Sequence, residues 1–91
     1  MRRIDVWQIT VDVLTEGMSP RQKIAFRIEM AMRPFARRNI VDMVMGDLQA
    51  ERLAAYDYEG HVVSIVDDIT EIIERIRQLI EAIRRLIGRF Q

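Results

Sequence analysis

The feature that most constrains this chain is an aliphatic stripe in its last third. Isoleucine or leucine recurs every seven residues, in three parallel series. The series are Ile69, Ile76 and Ile83; Ile72, Leu79 and Leu86; and Ile73, Ile80 and Ile87. At about 100° per residue, all of these side chains fall on one face of a helix. The pattern predicts a long amphipathic helix whose apolar face must be covered by something.

Composition is that of a small folded domain. The chain has 91 residues, of which 49% are hydrophobic and 31% are charged, as is typical of globular proteins. A domain this small buries only about 60–65% of its unfolded surface, so its stability is marginal unless something adds to the core. We expect one domain over residues 1–91, with an α+β body over 1–67 and an oligomerisation helix over 68–91.

The sequence lacks the features that define several classes of protein. The chain has no cysteine, which rules out disulfides, thiolate catalysis and cysteine-ligated zinc. No apolar run approaches the roughly 20 residues that a membrane-spanning helix needs. Asp5 and Asp12 interrupt the first apolar stretch, which is unlike a signal peptide. We therefore expect a cytoplasmic protein that does not enter a membrane.

Charge is sorted along the chain although the total is zero. Residues 19–38 carry six basic side chains against one acidic (net +5), and residues 39–71 carry one basic against eight acidic (net −7). Residues 72–91 carry five basic against two acidic (net +3). Such sorting indicates complementary faces, within one molecule or between copies, or simply solvated faces on separate elements. The strong preference for arginine over lysine is compatible with a thermophilic source, a GC-rich genome or a designed sequence.

Local patterns predict the elements of the first half. Residues 3–14 alternate apolar with polar side chains and are rich in β-branched residues, which predicts a strand. Residues 20–33 are ambiguous, because a Ser-Pro-x-Gln helix start with Ser19 as cap conflicts with strict alternation of large apolar side chains. We favour the helix, which would place Phe26 and Met30 opposite Ile24 and Ile28.

The second half is predicted to contain a helix, a hairpin and the terminal helix. Residues 35–53 have helical periodicity, and residues 53–66 form a hairpin centred on Glu59-Gly60 with Ala54 opposite Ile65. Asp68 is placed to cap the final helix, and Glu71 follows at capping-box spacing. The fold class is therefore α+β with two layers, in the order β-α-α-β-β-α and with a long amphipathic C-terminal helix. The alternative order is ββ-α-ββ-α.

The terminal helix is too long for the body beneath it. From Ile69 to Phe90 it measures about 33 Å, whereas three strands span only about 14 Å across the sheet. Leaving its last aliphatic side chains in water would forfeit roughly 5–9 kcal/mol. We therefore expect a homo-oligomer, a dimer or higher, with packing wholly within the chain as the alternative. The predicted interface consists of Ile76, Leu79, Ile80, Ile83, Leu86 and Ile87.

Catalytic chemistry has weak support in this sequence. His61 is the only histidine and lies beside a hairpin glycine, and Ser64 has no third group with which to form a triad. The adjacent acids Asp67 and Asp68 are best explained as the start of a helix. We expect no enzymatic activity, no metal and no cofactor.

Nucleic-acid contact is the main alternative function. Two groups of arginines could bind phosphates, and aromatic side chains could stack on bases, although the net charge of zero argues against this. The residues concerned are Arg33, Arg37, Arg38, Arg84 and Arg85.

Two families share parts of the predicted topology. The order β-α-α-β-β-α resembles that of the RNA-binding KH domain, but Arg33-Pro34-Phe35-Ala36-Arg37 stands where that family has its G-x-x-G clamp. Over residues 53–83, through Asp68-Ile69-Thr70, the hairpin and long helix are similar to the small accessory subunit of the archaeal KEOPS tRNA-modifying complex. The Asn-Ser-Tyr-Leu-Arg stretch expected of that subunit is missing. Both are likenesses of topology only, and neither assigns the chain to a family.

The sequence as a whole favours a non-enzymatic structural or adaptor subunit that self-associates through its C-terminal helix, with a protein partner for the same helix as a further expectation. The alternative is an RNA-binding or accessory subunit of a nucleic-acid-processing complex.

Overall fold

A three-stranded sheet and four helices form the part of the chain that the computed structural model describes, residues 1–89. The elements, in order, are β1 (Arg2–Arg3), α1 (Val6–Leu14), α2 (Pro20–Ala31), α3 (Pro34–Ala50), β2 (Ala54–Tyr56), β3 (Val62–Ser64) and α4 (Ile69–Gly88). The strands are antiparallel in the order β1-β3-β2. The predicted α+β class and its order of strand, helices, hairpin and long helix are confirmed, with α1 as one additional helix.

Helix α1 corrects the prediction of a long first strand over residues 3–14. Strand pairing with β3 covers Arg2–Arg3, and the Ile4 N–H adds one bond to the Val62 carbonyl at 3.0 Å. The helix begins directly after Asp5, whose carboxylate accepts the Gln8 N–H at 3.0 Å. The β-branched residues also satisfy a helical period, because Val6, Thr10 and Val13 all lie on the buried side. Burial of that side outweighs the small helix-propensity cost of β-branched residues.

Helix α2 resolves the ambiguity of residues 20–33 in favour of the helix. Ser19 and Gln22 form the predicted capping box: the Gln22 N–H donates to the Ser19 hydroxyl at 3.2 Å, and the Ser19 N–H donates to the Gln22 side chain at 2.9 Å. Because alternate residues of a helix lie about 200° apart, the alternation divides the apolar side chains between two opposite sides. Phe26 and Met30 are half-buried, whereas Ile24 and Ile28, predicted to lie opposite them, are exposed.

The hairpin is present, but its register differs by one residue from the prediction. Ala54 is opposite Ser64 rather than Ile65. The turn has three residues instead of two, because the Asp57 carboxylate accepts the backbone N–H groups of Glu59 and His61 at 2.9 and 2.8 Å. Gly60 follows with φ +84°, the left-handed conformation that closes a three-residue hairpin loop.

The core lies between the sheet and helices α1, α3 and α4. Its buried members are Val6, Val13, Val44, Met45, Leu48, Ala54, Ile72, Ile76 and Ile80. Helix α4 begins where predicted, with the Asp68 carboxylate accepting the Thr70 N–H at 2.9 Å. It ends at Gly88; the predicted end near Phe90 lies outside the described residues.

Two arginines of α4 form ion pairs with other parts of the chain. Arg75 makes two hydrogen bonds of 2.8 Å to the Asp47 carboxylate of α3, and Arg77 binds Glu16, just after α1, at 2.6 Å. The Arg77 hydrogen bond lowers the pKa of Glu16 below its ordinary value. No helix within residues 1–89 combines the length and the apolar character needed to cross a bilayer.

Candidate functional site

The predicted oligomer interface divides into a buried part and an exposed part. Ile76 and Ile80 are 0% and 5% exposed, because they lie in the chain's own core. Including them in the interface was wrong: a partner helix could reach them only if the core opened. The physical reason is that α4 packs its first three turns directly on α1 and α3, so that half of the stripe is already covered.

The exposed part of the stripe lies at the end of α4. Leu79 and Ile83 are half-buried, while Leu86 and Ile87 are 54% and 52% exposed. The predicted overhang is therefore found at Leu86 and Ile87, and Ile83 marks the boundary between covered and uncovered turns. Because the helix projects past the core, its last turns have apolar side chains with little of the same molecule to pack against.

A groove of about 220 Å³ runs alongside these residues. It lies between the end of α4, the end of α1 and the middle of α3, and Arg84 closes one end by donating to the Leu14 carbonyl at 3.3 Å. The lining residues are Thr10, Leu14, Ile40, Met43, Val44, Ile80, Ile83, Arg84 and Ile87. Sequence reasoning missed Leu14, Ile40 and Met43, because only the folded chain brings these three next to α4.

A second apolar surface lies on the outer side of α2. Ile24, Ile28 and Met32 are 60%, 58% and 79% exposed, and Phe35 at the start of α3 is 76% exposed. No residue of α2 is fully buried. The sequence indicated that Ile24 and Ile28 would point away from Phe26 and Met30, but it did not indicate that nothing else in residues 1–89 would cover them.

The arginines predicted to contact nucleic acid belong to two separate elements. Arg37 and Arg38 lie in the first turn of α3, and the Arg37 guanidinium stacks over the Trp7 ring at 5.3 Å from its centroid. Arg33 precedes the same helix and pairs with Glu29 at 3.3 Å. The stretch that replaces the KH clamp is therefore the beginning of a helix, with only Met32 and Arg33 between α2 and α3.

The other predicted arginines lie near the end of α4. Arg84 is held by the Leu14 carbonyl, and Arg85 lies 4.0 Å from Glu81 one turn earlier. The Glu81 carboxylate offsets part of the charge of Arg85, and the bond to Leu14 occupies one donor of the Arg84 guanidinium.

An open cleft of about 550 Å³ lies beside Trp7. Its walls are the start of α1, the start of α3 and strand β3. The lining residues are Ile4, Asp5, Val6, Trp7, Pro34, Arg37, Arg38, Val41, Asp42 and Val62. The cleft therefore brings two arginines and an aromatic ring together, but it also contains the carboxylates of Asp5 and Asp42, which oppose an anionic ligand.

Three of the polar residues considered for catalysis, Ser64, His61 and Asp68, have structural partners. The Ser64 hydroxyl donates to the Val66 carbonyl, while His61 lies exposed at the hairpin turn, 3.6 Å from Asp57. The Thr70 N–H bonded to Asp68 lowers the pKa of that carboxyl, as expected for a helix cap. Within residues 1–89, no group of three or more His, Asp or Glu side chains is placed to hold a metal ion.

The comparisons with known proteins found no matching family model, no matching curated protein and no matching solved structure. Within residues 1–89, the end of α4 and the outer side of α2 are places where large apolar side chains stand side by side in contact with water.

Proposed function

We propose that this protein is a small non-enzymatic structural or adaptor subunit, acting in the cytoplasm, that self-associates through the end of α4. The observation that supports this most directly is the exposure of Leu86 and Ile87 beside an apolar groove. Full burial of a leucine or isoleucine stabilises by about 1.5–3 kcal/mol. Covering the exposed half of each is therefore worth about 1 kcal/mol per side chain.

A dimer with two-fold symmetry would cover this surface on both copies at once. In such a dimer each contact occurs twice, so the exposed parts of four side chains are covered, together with the two grooves. The proposed interface keeps Leu79, Ile83, Leu86 and Ile87 from the sequence prediction and adds the groove residues from α1 and α3. The pairing of Arg85 with Glu81 reduces the repulsion between two basic helix ends that meet in such a dimer.

Solution mass tests the proposal. We expect light scattering behind a size-exclusion column to give a mass of at least two chains of 10.7 kDa. Replacing Leu86 and Ile87 together by Glu should yield a monomer that keeps the helical circular dichroism of the parent. The control is Ile65→Glu, because Ile65 is similarly exposed but lies at the end of the hairpin; this variant should remain oligomeric. A monomeric parent, or a double variant that stays oligomeric, would contradict the proposal.

We also propose, as a second candidate, that the protein is an accessory subunit that contacts RNA. The supporting observation is the cleft that brings Arg37 and Arg38 next to Trp7, since guanidinium and aromatic groups together suit phosphates and unstacked bases. Arg33 directly precedes α3, which carries Arg37 and Arg38, while Arg84 and Arg85 would form a separate contact.

Salt-dependent RNA binding tests this second candidate. Binding of a labelled single-stranded RNA at about 50 mM salt should be lost by about 200 mM if several phosphates are contacted. The Arg37→Ala, Arg38→Ala double variant should bind at least several-fold more weakly, whereas Arg21→Ala removes a positive charge away from the cleft and should have little effect. Absence of binding at the lower salt concentration would eliminate the candidate.

A further inference from the structure

The outer side of α2 has the form of a ridge. Ile24, Ile28 and Met32 are spaced four residues apart, so their side chains line up along the helix, and the exposed Phe35 follows three residues later, at the start of α3. We call these four residues the α2 ridge. All of them are more than half exposed, and from Ile24 to Met32 the ridge is about 12 Å long. A surface of this length matches roughly two turns of a second helix.

The surroundings of the α2 ridge suit another helix better than a flat surface. Ala25 and Ala31 lie on either side of it, and their small side chains leave shallow grooves into which the side chains of a facing helix can fit. The other side of α2 is also apolar, since Phe26 and Met30 face the body. A helix that is apolar on opposite sides is typical of one packed between two layers of protein, and residues 1–89 supply only one of those layers.

Charge determines what kind of helix fits. Residues 19–38 carry a net charge of +5, and at about 100° per residue Arg21 lies on the same side of α2 as Ile24 and Ile28. Arg21 forms no ion pair within residues 1–89, whereas Arg27 is paired with Asp12 at 3.7 Å. A second copy docked ridge to ridge would bring two surfaces of the same positive charge together, which is unfavourable.

We infer that the α2 ridge binds an acidic amphipathic helix of another protein. Apolar side chains of that helix would occupy the grooves beside Ile28, and a flanking carboxylate would pair with Arg21, within the positive field of residues 19–38. The inference is independent of self-association, because the α2 ridge and the end of α4 are different surfaces. An adaptor with both surfaces joins copies of itself through one and holds the acidic helix on the other.

The test uses a defined probe and a matched pair of variants. The probe is a fluorescein-labelled amphipathic peptide of about five helical turns, with leucine every three or four residues and glutamate between. We expect saturable binding, followed by anisotropy, that weakens several-fold between about 0.05 and 0.5 M salt. The Ile28→Ser, Met32→Ser double variant should bind at least about tenfold more weakly. Leu86→Ser alters the other apolar surface and should bind the peptide as the parent does.

Further binding experiments distinguish an acidic helix from other ligands of the α2 ridge. A peptide with lysine in place of every glutamate should not bind; equal binding of the two peptides would overturn the charge argument. Failure of the acidic peptide to bind, or unchanged binding by the Ile28→Ser, Met32→Ser variant, would overturn the inference. So would binding of phosphatidylserine vesicles that depends on Ile28 and Met32 while the peptide does not bind. The solution mass of each variant, measured separately, reports on self-association alone.

Discussion

Helices α2 and α4 differ in how they distribute similar apolar content. In α4 the heptad spacing places isoleucines on one side, and three of them, Ile72, Ile76 and Ile80, are buried in the core. In α2 the alternating spacing places large side chains on two opposite sides, and none is fully buried. The comparison teaches that the spacing of apolar residues decides whether a helix buries them within its own fold or leaves some of them exposed, where another molecule can contact them.

The largest expected effect comes from the covered part of α4. Ile76→Ala should lower the free energy of unfolding by about 2–5 kcal/mol, because it leaves a cavity in a fully packed core. Urea denaturation followed by circular dichroism measures this loss. The control is Leu86→Ala, on the same helix but half exposed, which should lower the free energy of unfolding by less than about 1 kcal/mol per monomer. Similar losses for the two variants would mean that α4 is not divided as described.

A smaller effect is expected at the cap of α2. Ser19→Ala removes one of the two bonds of the capping box, a change that costs about 0.5–2 kcal/mol in helices whose stability is coupled to the fold. Because α2 has no fully buried residue, we expect most of the cost to appear as local fraying. Hydrogen exchange should accelerate in α2 and remain unchanged at the buried turns of α4. Equal acceleration in both helices would show that they open together.

Lowering the pH should weaken the two carboxylate interactions that hold α4, the Glu16–Arg77 pair and the Asp68 cap. The pKa of Glu16 is lowered by Arg77, and that of Asp68 is lowered by the Thr70 N–H, from ordinary values of 4.5 and 3.8. A carboxyl group whose pKa is lower in the folded state contributes stability above its unfolded pKa and loses it as pH falls through the folded value. Stability should therefore fall as the pH drops below about 4.5. Urea midpoints between neutral and acidic pH should show a shallower decline for Glu16→Gln; an unchanged slope would contradict this assignment.

The smallest effect on stability is expected at the α2 ridge. Ile28→Ser should change the free energy of unfolding by no more than about 0.5 kcal/mol, because its side chain is already largely in water. Thermal or urea denaturation under the conditions used for Ile76→Ala makes the comparison direct. A loss comparable to that of Ile76→Ala would mean that the ridge is covered in solution, by another copy or by the chain itself.

Much of the fold could be predicted because local chemistry specified it. The Asp68 cap, the Ser19 capping box and the heptads of α4 each depend on residues a few positions apart, and the structure has all three. Helix α1 could not be predicted in this way. Its valines and threonine satisfy both a strand period and a helical one, and only burial against the rest of the core decides between them.

The candidate surfaces were predictable to a lesser degree. The exposure of Leu86 and Ile87 followed from the length of α4 alone. The groove beside them did not, because Leu14, Ile40 and Met43 are far apart in the sequence and meet only in the folded chain. The same reason explains why Ile76 and Ile80 were wrongly assigned to an interface: the heptad pattern continues unchanged from the covered turns to the uncovered ones.

Helix α4 continues past the core without a break, so it rigidly connects the body to its own exposed last turns. Its inner turns fix the angle at which the body holds it, through Ile76 and the Arg75–Asp47 pair, and its outer turns set the direction in which Leu86 and Ile87 face. One residue inserted between Glu81 and Ala82 would turn the outer side chains by about 100° without displacing the inner ones. In the proposed dimer, a single insertion or deletion at that point would therefore change how the two copies are oriented relative to each other, while the turns of α4 that precede it keep their packing.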